Sequence, residues 1–562
     1  WPQPAPPPAA IQFTVDPPEG TTFTPAAGFL SISPDGQNIA FMTGPQTDTQ
    51  LWMRPLHPLE ARLLPLATNS WHVTWSPDMQ SIVYASTGQL GLRRMDLAGG
   101  PVRTLTEDAT ERSAWSRDGV IVFTPRTAPQ RLMRVPSTGG PATPATELNV
   151  AAGEVAHYWP AFLPDGKRFI FLARNQDPSK SALFLASLDS TERTHLLDVH
   201  SMAEVVPGFL LYQREGTVYA HPFDESSARF TGDPVPIIEN VQFNRTNGRA
   251  AFVTSSAGHL VYRTGESLSD GATLSWLDRT GKVVGTIGQP GGYTSGAMSP
   301  DNRRYVVGDV DKTGGRDLVM IDIERNVTSR FTSDAAIEQV PLWTIDGESV
   351  VFSSNRKGAL DLYIKNAGGA TPERPLFESA QDKNATAFSP DGKLLVFNVG
   401  RSPDRQIWAL PLEGGAKPYR LLPDESGEHA NARFSPDGKW LAYDAGNPSN
   451  VFVQPFPATG YREQISATRG GNPRWTADGR QIAFSGPDRS IMIADVTPSG
   501  GKLRVSAPRQ LFQQRQLPGA PGFNMDGRAE RFLLVVPPEL TSGVSEAPLT
   551  VVVNWPSLAI KK

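Results

Sequence analysis

A four-residue turn phrase, typified by Ser33–Gly36 with the sequence Ser-Pro-Asp-Gly, recurs along this chain of 562 residues. Proline at the second position presets φ for a type I turn, aspartate accepts backbone hydrogen bonds, and glycine takes a left-handed conformation that closes the turn. Each copy therefore predicts a hairpin between two antiparallel strands. The ten recognisable copies are Ser33–Gly36, Ser76–Met79, Ser116–Gly119, Leu163–Gly166, Ser299–Asn302, Thr344–Gly347, Ser389–Gly392, Ser435–Gly438, Thr476–Gly479 and Asn524–Gly527.

Two weaker copies, Val205–Gly208 and Ser255–Gly258, fill the long central gap and bring the repeats to twelve, at intervals of 40 to 50 residues. An apolar or aromatic residue precedes most turns, as Trp75 and Phe434 do, and a short alternating strand such as Leu441–Tyr443 follows. Two further short strands complete each period, which matches a four-stranded, WD-like blade. The sequence therefore predicts an all-β fold built from propeller blades.

A single ring of twelve blades would leave a wide axial hole, so we expect the array to divide into smaller rings. Repeat five resembles repeat eleven, and Ala272–Trp276 follows repeat six as Pro548–Val552 follows repeat twelve. This offset of six predicts two tandem six-bladed β-propellers, at 11–289 and 290–562, after a Pro-rich linker at 1–10. The last repeat lacks a full fourth strand, so Ile11–Val15 is expected to close a ring by pairing with it.

Two copies of the turn phrase lack the final glycine. Asn302 replaces it in one copy, and asparagine tolerates the left-handed region. Met79 replaces it in another, and a methionine there is expected to be strained.

Charge and composition exclude several classes of partner. The 53 basic and 57 acidic residues leave a net charge of −4, which favours neither nucleic acid nor an anionic membrane surface. The chain has no cysteine, so disulfides, thiol nucleophiles and thiolate metal sites are excluded. Its longest apolar runs, such as Phe532–Val536, are far shorter than a membrane-spanning helix. We expect no nucleic-acid partner and no membrane insertion of this segment.

No catalytic motif is recognisable in the chain. It lacks the G-x-S-x-G elbow of hydrolases and the phosphate loop, H-R-D and D-F-G motifs of kinases. Its eight histidines never take an H-x-x-x-H spacing, and Asp309, Asp311 and Asp317 lack the ligand order of a calcium loop. We therefore expect a non-enzymatic segment without metal or other cofactor.

Propeller geometry predicts where a ligand would bind. Because the turn phrases share one face of each disc, the loops that enter the innermost strands should converge at the axial mouth of the opposite face. The side chains expected there are His72, Arg112, His157, Tyr158 and Trp159 in the first propeller, and Gln339, Asn384, His429, Asn431 and Asn472 in the second. The alternative is that these groups only satisfy loop backbones and axial water.

The phrase at Ser33–Phe41 and again at Ser435–Tyr443 resembles the propeller repeat of TolB-like periplasmic proteins and, less closely, that of prolyl oligopeptidase relatives. Over almost its whole length the chain also resembles the extracytoplasmic C-terminal region of receptor-like serine/threonine protein kinases of acidobacteria. The phrases that carry this likeness are Pro18–Phe23, Leu51–Leu56, Met95–Gly100 and Phe352–Arg356. In such kinases the catalytic domain lies upstream, so the resemblance implies a periplasmic or extracytoplasmic sensor, tethered by a preceding transmembrane helix.

The expected function is a sensor or scaffold that binds a protein, peptide or glycan outside the cytoplasm and passes its occupancy to that kinase. Two alternatives stay open. One is a free periplasmic TolB-like interaction protein, which the sequence encoded upstream of Trp1 would distinguish. The other is a propeller hydrolase or lyase whose site shows no motif, which an activity screen would reveal.

Overall fold

The computed structural model of the chain consists almost entirely of short antiparallel strands. It divides into two compact units: unit 1 comprises Trp1–Ser267 and Glu539–Lys562, and unit 2 comprises Leu268–Asp311 and Gly315–Pro538. The residues that the structure describes are 9–24, 30–44, 49–57, 60–68, 70–86, 91–109, 113–125, 129–265, 271–311, 315–334, 336–369, 371–400, 404–422, 427–446, 449–487, 490–513, 522–536 and 547–559.

Unit 1 begins with β1 (Ile11–Val15) and continues with five sheets in chain order, each of which corresponds to one repeat. Blade 1 contains β2 (Leu30–Ile32), β3 (Asn38–Thr43), β4 (Gln50–Pro55) and β5 (Arg62–Thr68). Blade 2 contains β6 (Ser70–Trp75), β7 (Ser81–Ser86), β8 (Leu92–Asp96) and β9 (Arg103–Thr106). Blade 3 contains β10 (Ser113–Trp115), β11 (Val120–Phe123), β12 (Met133–Pro136) and β13 (Thr143–Pro144). Blade 4 contains β14 (Glu154–Phe162), β15 (Arg168–Asn175), β16 (Ala182–Ser187) and β17 (Ser190–Asp198); blade 5 contains β18 (Ala203–Val206), β19 (Phe209–Arg214), β20 (Thr217–Asp224), β21 (Arg229–Phe230) and β22 (Val235–Ile238).

A small two-stranded sheet of β23 (Phe243–Asn244) and β24 (Arg249–Ala250) follows, and then the first hairpin of the sixth repeat, β25 (Phe252–Thr254) and β26 (His259–Tyr262). Two 3-10 turns, Val150–Ala152 and Pro178–Lys180, flank the strands of blade 4.

Unit 2 begins with β27 (Ala272–Asp278) and β28 (Val283–Gly291), which pair with each other, and continues with five sheets in chain order. Blade 1 contains β29 (Tyr293–Met298), β30 (Arg304–Val310), β31 (Arg316–Asp322) and β32 (Val327–Arg330). Blade 2 contains β33 (Glu338–Trp343), β34 (Ser349–Lys357), β35 (Ala359–Asn366) and β36 (Arg374–Phe377). Blade 3 contains β37 (Lys383–Phe388), β38 (Leu394–Val399), β39 (Gln406–Pro411) and β40 (Tyr419–Arg420). Blade 4 contains β41 (His429–Phe434), β42 (Trp440–Ala445), β43 (Asn450–Pro455) and β44 (Glu463–Gln464); blade 5 contains β45 (Gly471–Trp475), β46 (Gln481–Ser485), β47 (Ser490–Ser499), β48 (Lys502–Val505) and β49 (Arg509–Gln513). The twelfth repeat supplies β50 (Asn524–Met525) and β51 (Arg531–Val536).

The sixth blade of each unit combines strands that are distant in sequence. In unit 2 the strand order is β50-β51-β27-β28, so the strand after the sixth repeat completes the sheet of the twelfth. In unit 1 the order is β25-β26-β52-β1, where β52 (Leu549–Val553) follows the twelfth repeat and precedes the short helix α1 (Pro556–Ala559). The expected pairing of Ile11–Val15 with the last strand is present, from Ile11 opposite Val553 to Val15 opposite Leu549.

This exchange corrects the domain boundaries expected from the repeats. Unit 2 begins at Leu268 instead of near residue 290, and the segment from Glu539 onward belongs to unit 1. The repeat phrase marks only the hairpin of each blade, whereas the boundary depends on which distant strand pairs with the hairpin. The expected linker at 1–10 lies outside the described residues except for positions 9 and 10.

Each unit is a closed six-bladed propeller. In unit 1 every innermost strand contacts the innermost strand of the next blade, and β2 of blade 1 contacts β25 of blade 6. In unit 2 the same contacts link β29 through β45, and β50 contacts β29. An apolar cluster that includes Ala483, Phe512 and Phe532 packs blade 5 of unit 2 against blade 6. Radial packing leaves each sheet with two buried faces.

The core is divided into wedges between neighbouring blades. Consecutive residues of a second strand point to opposite faces, so Val306 packs towards blade 2 of unit 2 while Val307 packs towards blade 6. Leu441 and Ala442 divide in the same way between two clusters. Such strands are buried on both faces, which explains their nearly continuous apolar sequence.

The turn phrase has the expected geometry and adds a hydrogen-bond network. The amide of Gly36, at φ 71°, donates to the carbonyl of Ser33, and the amide of Ser33 donates to the carbonyl of Asn38. The Ser33 hydroxyl is buried, donates to Asp35 and accepts the amide of Asn38. Met79 occupies the glycine position at φ 60°. The serine or threonine that opens most copies therefore adds side-chain hydrogen bonds to the hairpin, whereas Leu163–Gly166 forms the same backbone turn without a hydroxyl.

The twelfth copy of the phrase differs from the expected alignment by two residues. Asp526 takes the position of the opening serine, because its amide bonds the carbonyl of Arg531, and Ala529 takes the left-handed position at φ 54°. The Asp-Gly pair within Asn524–Gly527 imitates the phrase without forming its turn.

Candidate functional site

The residues expected at the mouth of unit 1 lie on the innermost strands, on the side away from the turn phrases, and they are buried. His72 is on β6, and His157, Tyr158 and Trp159 are on β14. Arg112 lies outside the described residues. None of the four described side chains lines the cavity reported below.

His157 belongs to a buried network that joins blades 3 and 4. Its Nδ1 lies 2.7 Å from the Thr146 hydroxyl, and its Nε2 lies 3.2 Å from Glu154. Arg193 pairs with the same carboxylate. Burial lowers the pKa of His157, so a neutral ring that donates from Nε2 and accepts at Nδ1 fits both contacts. Burial opposes ionisation of Glu154, but hydrogen bonds from His157 and Arg193 outweigh it and lower the pKa to about 2.

Trp159 occupies a β-bulge at φ 57°, where the pairing of β14 with β15 shifts register. Its indole Nε1 donates to the carbonyl of Asn247 at 2.6 Å. The guanidinium of Arg249 lies 5.3 Å from the Trp159 ring and 3.3 Å from His72 Nδ1. Arg249 therefore links two expected site residues, although no motif in the sequence marks it.

Unit 2 places its expected residues at equivalent bulges, where they connect neighbouring blades. Asn431 and Asn472 have φ values of 56° and 55°. The carboxylate of Asp444 accepts the side-chain amide of Asn431 at 2.6 Å and the backbone amide of Asn472 at 3.0 Å. Asn398 accepts the backbone amide of Asn431 in the same way. A polar residue on the second strand of one blade thus holds the bulge of the next.

The remaining expected residues of unit 2 have similar partners. Gln339 accepts from Arg316 at 2.6 Å, Asn384 accepts from the Ser353 hydroxyl at 3.1 Å, and His429 Nδ1 lies 3.0 Å from the Gly427 carbonyl. These polar side chains satisfy backbone and side-chain groups of the blades that they join. That structural role was the alternative weighed for this set.

Unit 1 contains an axial cavity of about 510 Å³ at the end where the turn phrases lie. All six blades contribute to it, which places it on the axis. The lining residues that form its apolar wall are Ile32, Val73, Trp75, Ala114, Trp115, Ala161, Phe162, Leu163, Val205 and Val206, with Pro34, Pro77, Pro160, Pro164 and Pro207. The cavity is therefore at the face opposite the one that the sequence favoured.

The aromatic wall follows directly from the repeat. Ile32, Trp75, Trp115 and Phe162 each immediately precede a turn phrase, so closure of the ring brings them to the same axial level. Arg94 stacks over the Trp115 ring at 5.3 Å and holds it in place. The sequence signal for this wall is the apolar or aromatic residue immediately before each turn.

A few polar groups interrupt this apolar wall. Within the described part of the chain, neither Trp75 Nε1 nor Thr254 Oγ1, both buried, has a hydrogen-bond partner. Glu204 is buried in the wall, and Arg117 lies among the lining residues with a largely exposed side chain. An apolar cavity with a few fixed polar groups is typical of a small-ligand site.

In the residues that the structure describes, no three His, Cys, Asp or Glu side chains are grouped so that they could hold an ion. No helix in the described ranges is long and apolar enough to cross a bilayer.

No protein-family model matches the sequence. Among solved structures, the chain is similar to a putative TolB from Agrobacterium tumefaciens, with 15% identity over 47% of this chain and 98% of that chain at a TM-score of 0.37. It is also similar to TolB from Acinetobacter baumannii, with 15% identity, coverage of 56% and 82%, and a TM-score of 0.33. An oligogalacturonate lyase from Vibrio parahaemolyticus matches with 14% identity, coverage of 70% and 100%, and a TM-score of 0.30. These similarities concern the fold alone.

Proposed function

We propose that this chain is a non-enzymatic binding module whose unit 1 receives an apolar or aromatic group of a ligand in its axial cavity. The observation that supports this most strongly is that side chains from all six blades line one cavity of about 510 Å³. That volume falls in the range of small-ligand pockets. The ligand is a side chain of a protein or peptide, or a glycan ring.

The wall chemistry favours a flat ligand with one polar edge. Trp75, Trp115 and Phe162 offer aromatic faces on which a side chain or sugar ring can stack. Among the described residues the Trp75 N–H and the Thr254 hydroxyl have no hydrogen-bond partner, and both atoms are closed to solvent, so a ligand gains roughly 1–3 kcal/mol per group from bonding them only when its entry shifts the wall to expose them. Ligands that can both stack and accept a hydrogen bond should therefore bind best.

The proposed setting is outside the cytoplasm, where the chain is the sensor part of a membrane-anchored receptor-like serine/threonine kinase. The support is the resemblance of phrases such as Leu51–Leu56 and Phe352–Arg356 to those regions. A free periplasmic TolB-like interaction protein would have the same propellers and no kinase. The upstream coding sequence distinguishes the two: a kinase domain and an apolar segment of about 20 residues support the sensor, and their absence rejects it.

The cavity is tested by saturation-transfer NMR on the full chain with N-acetyltryptophanamide, N-acetyltyrosinamide and cellobiose as probes. Ser256 lines the cavity and is exposed, so Ser256→Trp should obstruct the entrance and abolish the transfer signal. Ala257→Trp is the matched control, because Ala257 is exposed in the same turn and does not line the cavity. Binding that is absent in the native protein, or that survives Ser256→Trp, contradicts the proposal. Turnover of a glycan or peptide substrate in the same samples would contradict its non-enzymatic part.

A further inference from the structure

Two arginines occupy equivalent positions on adjacent innermost strands of unit 2. Arg433 on β41 lies two residues after Asn431, and Arg474 on β45 lies two residues after Asn472. Both asparagines are in the left-handed region, and both strands shift register there. Because β41 contacts β45 and the bulges repeat the same geometry, the two arginines lie at one level near the axis.

Neither arginine forms an ion pair within the described ranges, although the charge of Asp444 acts on Arg433 without an ion-pair contact. No ion pair or side-chain hydrogen bond of Arg433 is present among those residues, and the same holds for Arg474. Arg474 Nε is buried without any partner there. Burial, followed by the charge of Arg474, lowers the pKa of Arg433 well below its ordinary value. Both arginine side chains are half-buried, and charges withdrawn from water in folded proteins are normally paired, so this arrangement lacks a full counter-ion.

The hydroxyl group of Tyr305, on β30 of blade 1, lies close enough to Arg474 for the two groups to interact electrostatically. Asn524 on β50 donates its side-chain amide to Tyr305 and to the carbonyl of Gly296, each at 3.0 Å. Gly296 makes room for this, because a Cβ there would lie 2.4 Å from the Tyr305 hydroxyl. Since that hydroxyl accepts from Asn524, its own proton remains available. Burial raises the pKa of Tyr305, and the charge of Arg474 opposes this rise.

The carboxyl group of Asp444 compensates the positive charge of these arginines only in part. It is held by Asn431 and Asn472, and it makes no ion pair with Arg433 in the described structure. Burial raises the pKa of Asp444 to about 7, so a substantial fraction is neutral near neutral pH. Arg405, which also interacts with Asp444, lies 3.9 Å from Glu428.

We propose that the axis of unit 2 binds a small oxyanion, a carboxylate or phosphate group, between Arg433 and Arg474, with the Tyr305 hydroxyl as a third donor. Guanidinium groups present N–H donors in a planar fork that matches two oxygens of such an anion. The anion supplies the counter-charge that the protein leaves out. This site is separate from the apolar cavity of unit 1 and does not depend on it.

Isothermal titration calorimetry of the full chain with sodium phosphate, sodium succinate and sodium chloride at constant ionic strength tests the site. Phosphate or succinate should give saturable binding, and chloride should not; the stronger of the two oxyanions identifies the ligand chemistry. Arg433→Gln and Arg474→Gln should each weaken that binding at least about tenfold. Arg504→Gln is the matched control, since Arg504 is exposed on β48 of the same unit, and it should leave the affinity unchanged.

Hydrogen exchange on the native protein keeps the proposal testable if the variants fold poorly. Saturating phosphate or succinate should slow exchange of the amides in β41 and β45 relative to chloride at the same ionic strength. The proposal is overturned if calorimetry detects no binding heat specific to the oxyanions and hydrogen exchange of β41 and β45 is unchanged. An equal loss of affinity in Arg504→Gln also overturns it, because general surface charge would then account for the binding.

Discussion

Unit 1 and unit 2 are built from the same repeat, yet different groups near their axes lack partners. In unit 1 the buried Glu154 carboxylate is paired, since Arg193 contacts it and His157 completes the network. The Trp75 indole N–H, in contrast, has no acceptor among the described residues. An apolar cavity adjoins it.

Unit 2 also has paired buried charges, such as Lys383 with Asp361, but it differs from unit 1 in its tryptophans and in Arg474. The indole N–H groups of Trp343 and Trp475 donate to carbonyls on the preceding blades, those of Ala297 and Arg433. The charge of Arg474 has no acidic partner in the described ranges. The comparison shows that the repeat fixes the scaffold, whereas single residues before the turn and after the bulge decide which polar and charged groups lie near each axis.

The largest expected effect comes from breaking the paired charge of unit 1. Arg193→Met leaves the Glu154 carboxylate buried without its main partner, so the free energy of unfolding should fall by about 3 kcal/mol. Arg474→Met, the matched change in unit 2, removes a charge that has no partner and should leave stability unchanged or raise it. Differential scanning calorimetry in chloride buffer measures both variants. Equal losses would mean that the two axes do not differ in charge pairing.

The pH dependence of unit 2 should reveal Asp444. Its pKa is raised by burial to about 7, so the stabilising contribution of the proton is full at acid pH and is lost as pH rises towards 7. Asp444→Asn cannot titrate, so relative to the native protein it should gain about 2 kcal/mol between pH 5.5 and pH 8.5. Urea unfolding at the two pH values measures this gain.

Asp391→Asn provides the control of opposite sign for that experiment. A hydrogen bond from Ser389 lowers the pKa of Asp391, so its contribution is present at neutral pH and is lost as pH falls through the folded-state pKa. The Asp391→Asn difference should therefore stay constant from pH 5.5 to pH 8.5. A gain with pH in this variant would assign the effect to general charge.

Trp75 and Trp475, which each precede a turn phrase, should differ in the stability lost on replacement by phenylalanine, because only Trp475 donates a hydrogen bond from its indole. Trp475→Phe removes the bond from Nε1 to the Arg433 carbonyl and leaves that carbonyl without its donor. Trp75→Phe removes an N–H that has no acceptor in the described structure. We expect Trp475→Phe to cost about 1 kcal/mol more than Trp75→Phe in urea unfolding. If the two losses are equal, Trp75 does not carry an unsatisfied group.

The smallest expected effect concerns the turn phrase itself. Met79 and Asn302 both occupy the left-handed position at φ 60°. Met79→Gly should raise the free energy of unfolding by up to about 1 kcal/mol, because a methionine is strained there and glycine is not. Asn302→Gly should have a smaller effect, since asparagine tolerates this region. A loss of stability in Met79→Gly would contradict the turn assignment.

The sequence was sufficient for features that depend on local chemistry. The turn phrase predicted the hairpins and the blades, because Pro, Asp and Gly act within four residues, as at Ser33–Gly36. It was insufficient where pairing is long-range: β27 and β52 follow equivalent repeats, yet each completes the sheet of the other repeat. A local phrase also misled at Asn524–Gly527, because the real turn begins two residues later and spans Asp526–Ala529.

The candidate sites also depend on long-range contacts that the sequence does not reveal. The sequence predicts Asn431 and Asn472 at an axial mouth, but the residues that accept their backbone amides, Asn398 and Asp444, lie on the preceding blades. The cavity of unit 1 is a volume left between six blades, and no motif encodes a volume. Arg433 and Arg474 went unnoticed because single arginines carry no pattern until the ring closes and brings them together.

In sequence, the whole of unit 2 is inserted between β26 and β52, two strands that are hydrogen-bonded neighbours from His259 opposite Val553 to Tyr262 opposite Thr550. During synthesis the second propeller therefore has all its strands once Val536 has emerged, while the first still waits for residues 549–553. The propeller whose synthesis begins first is therefore the last to receive all its strands. A gene in which a tight turn joins Tyr262 directly to Leu549 should encode a single, freestanding propeller.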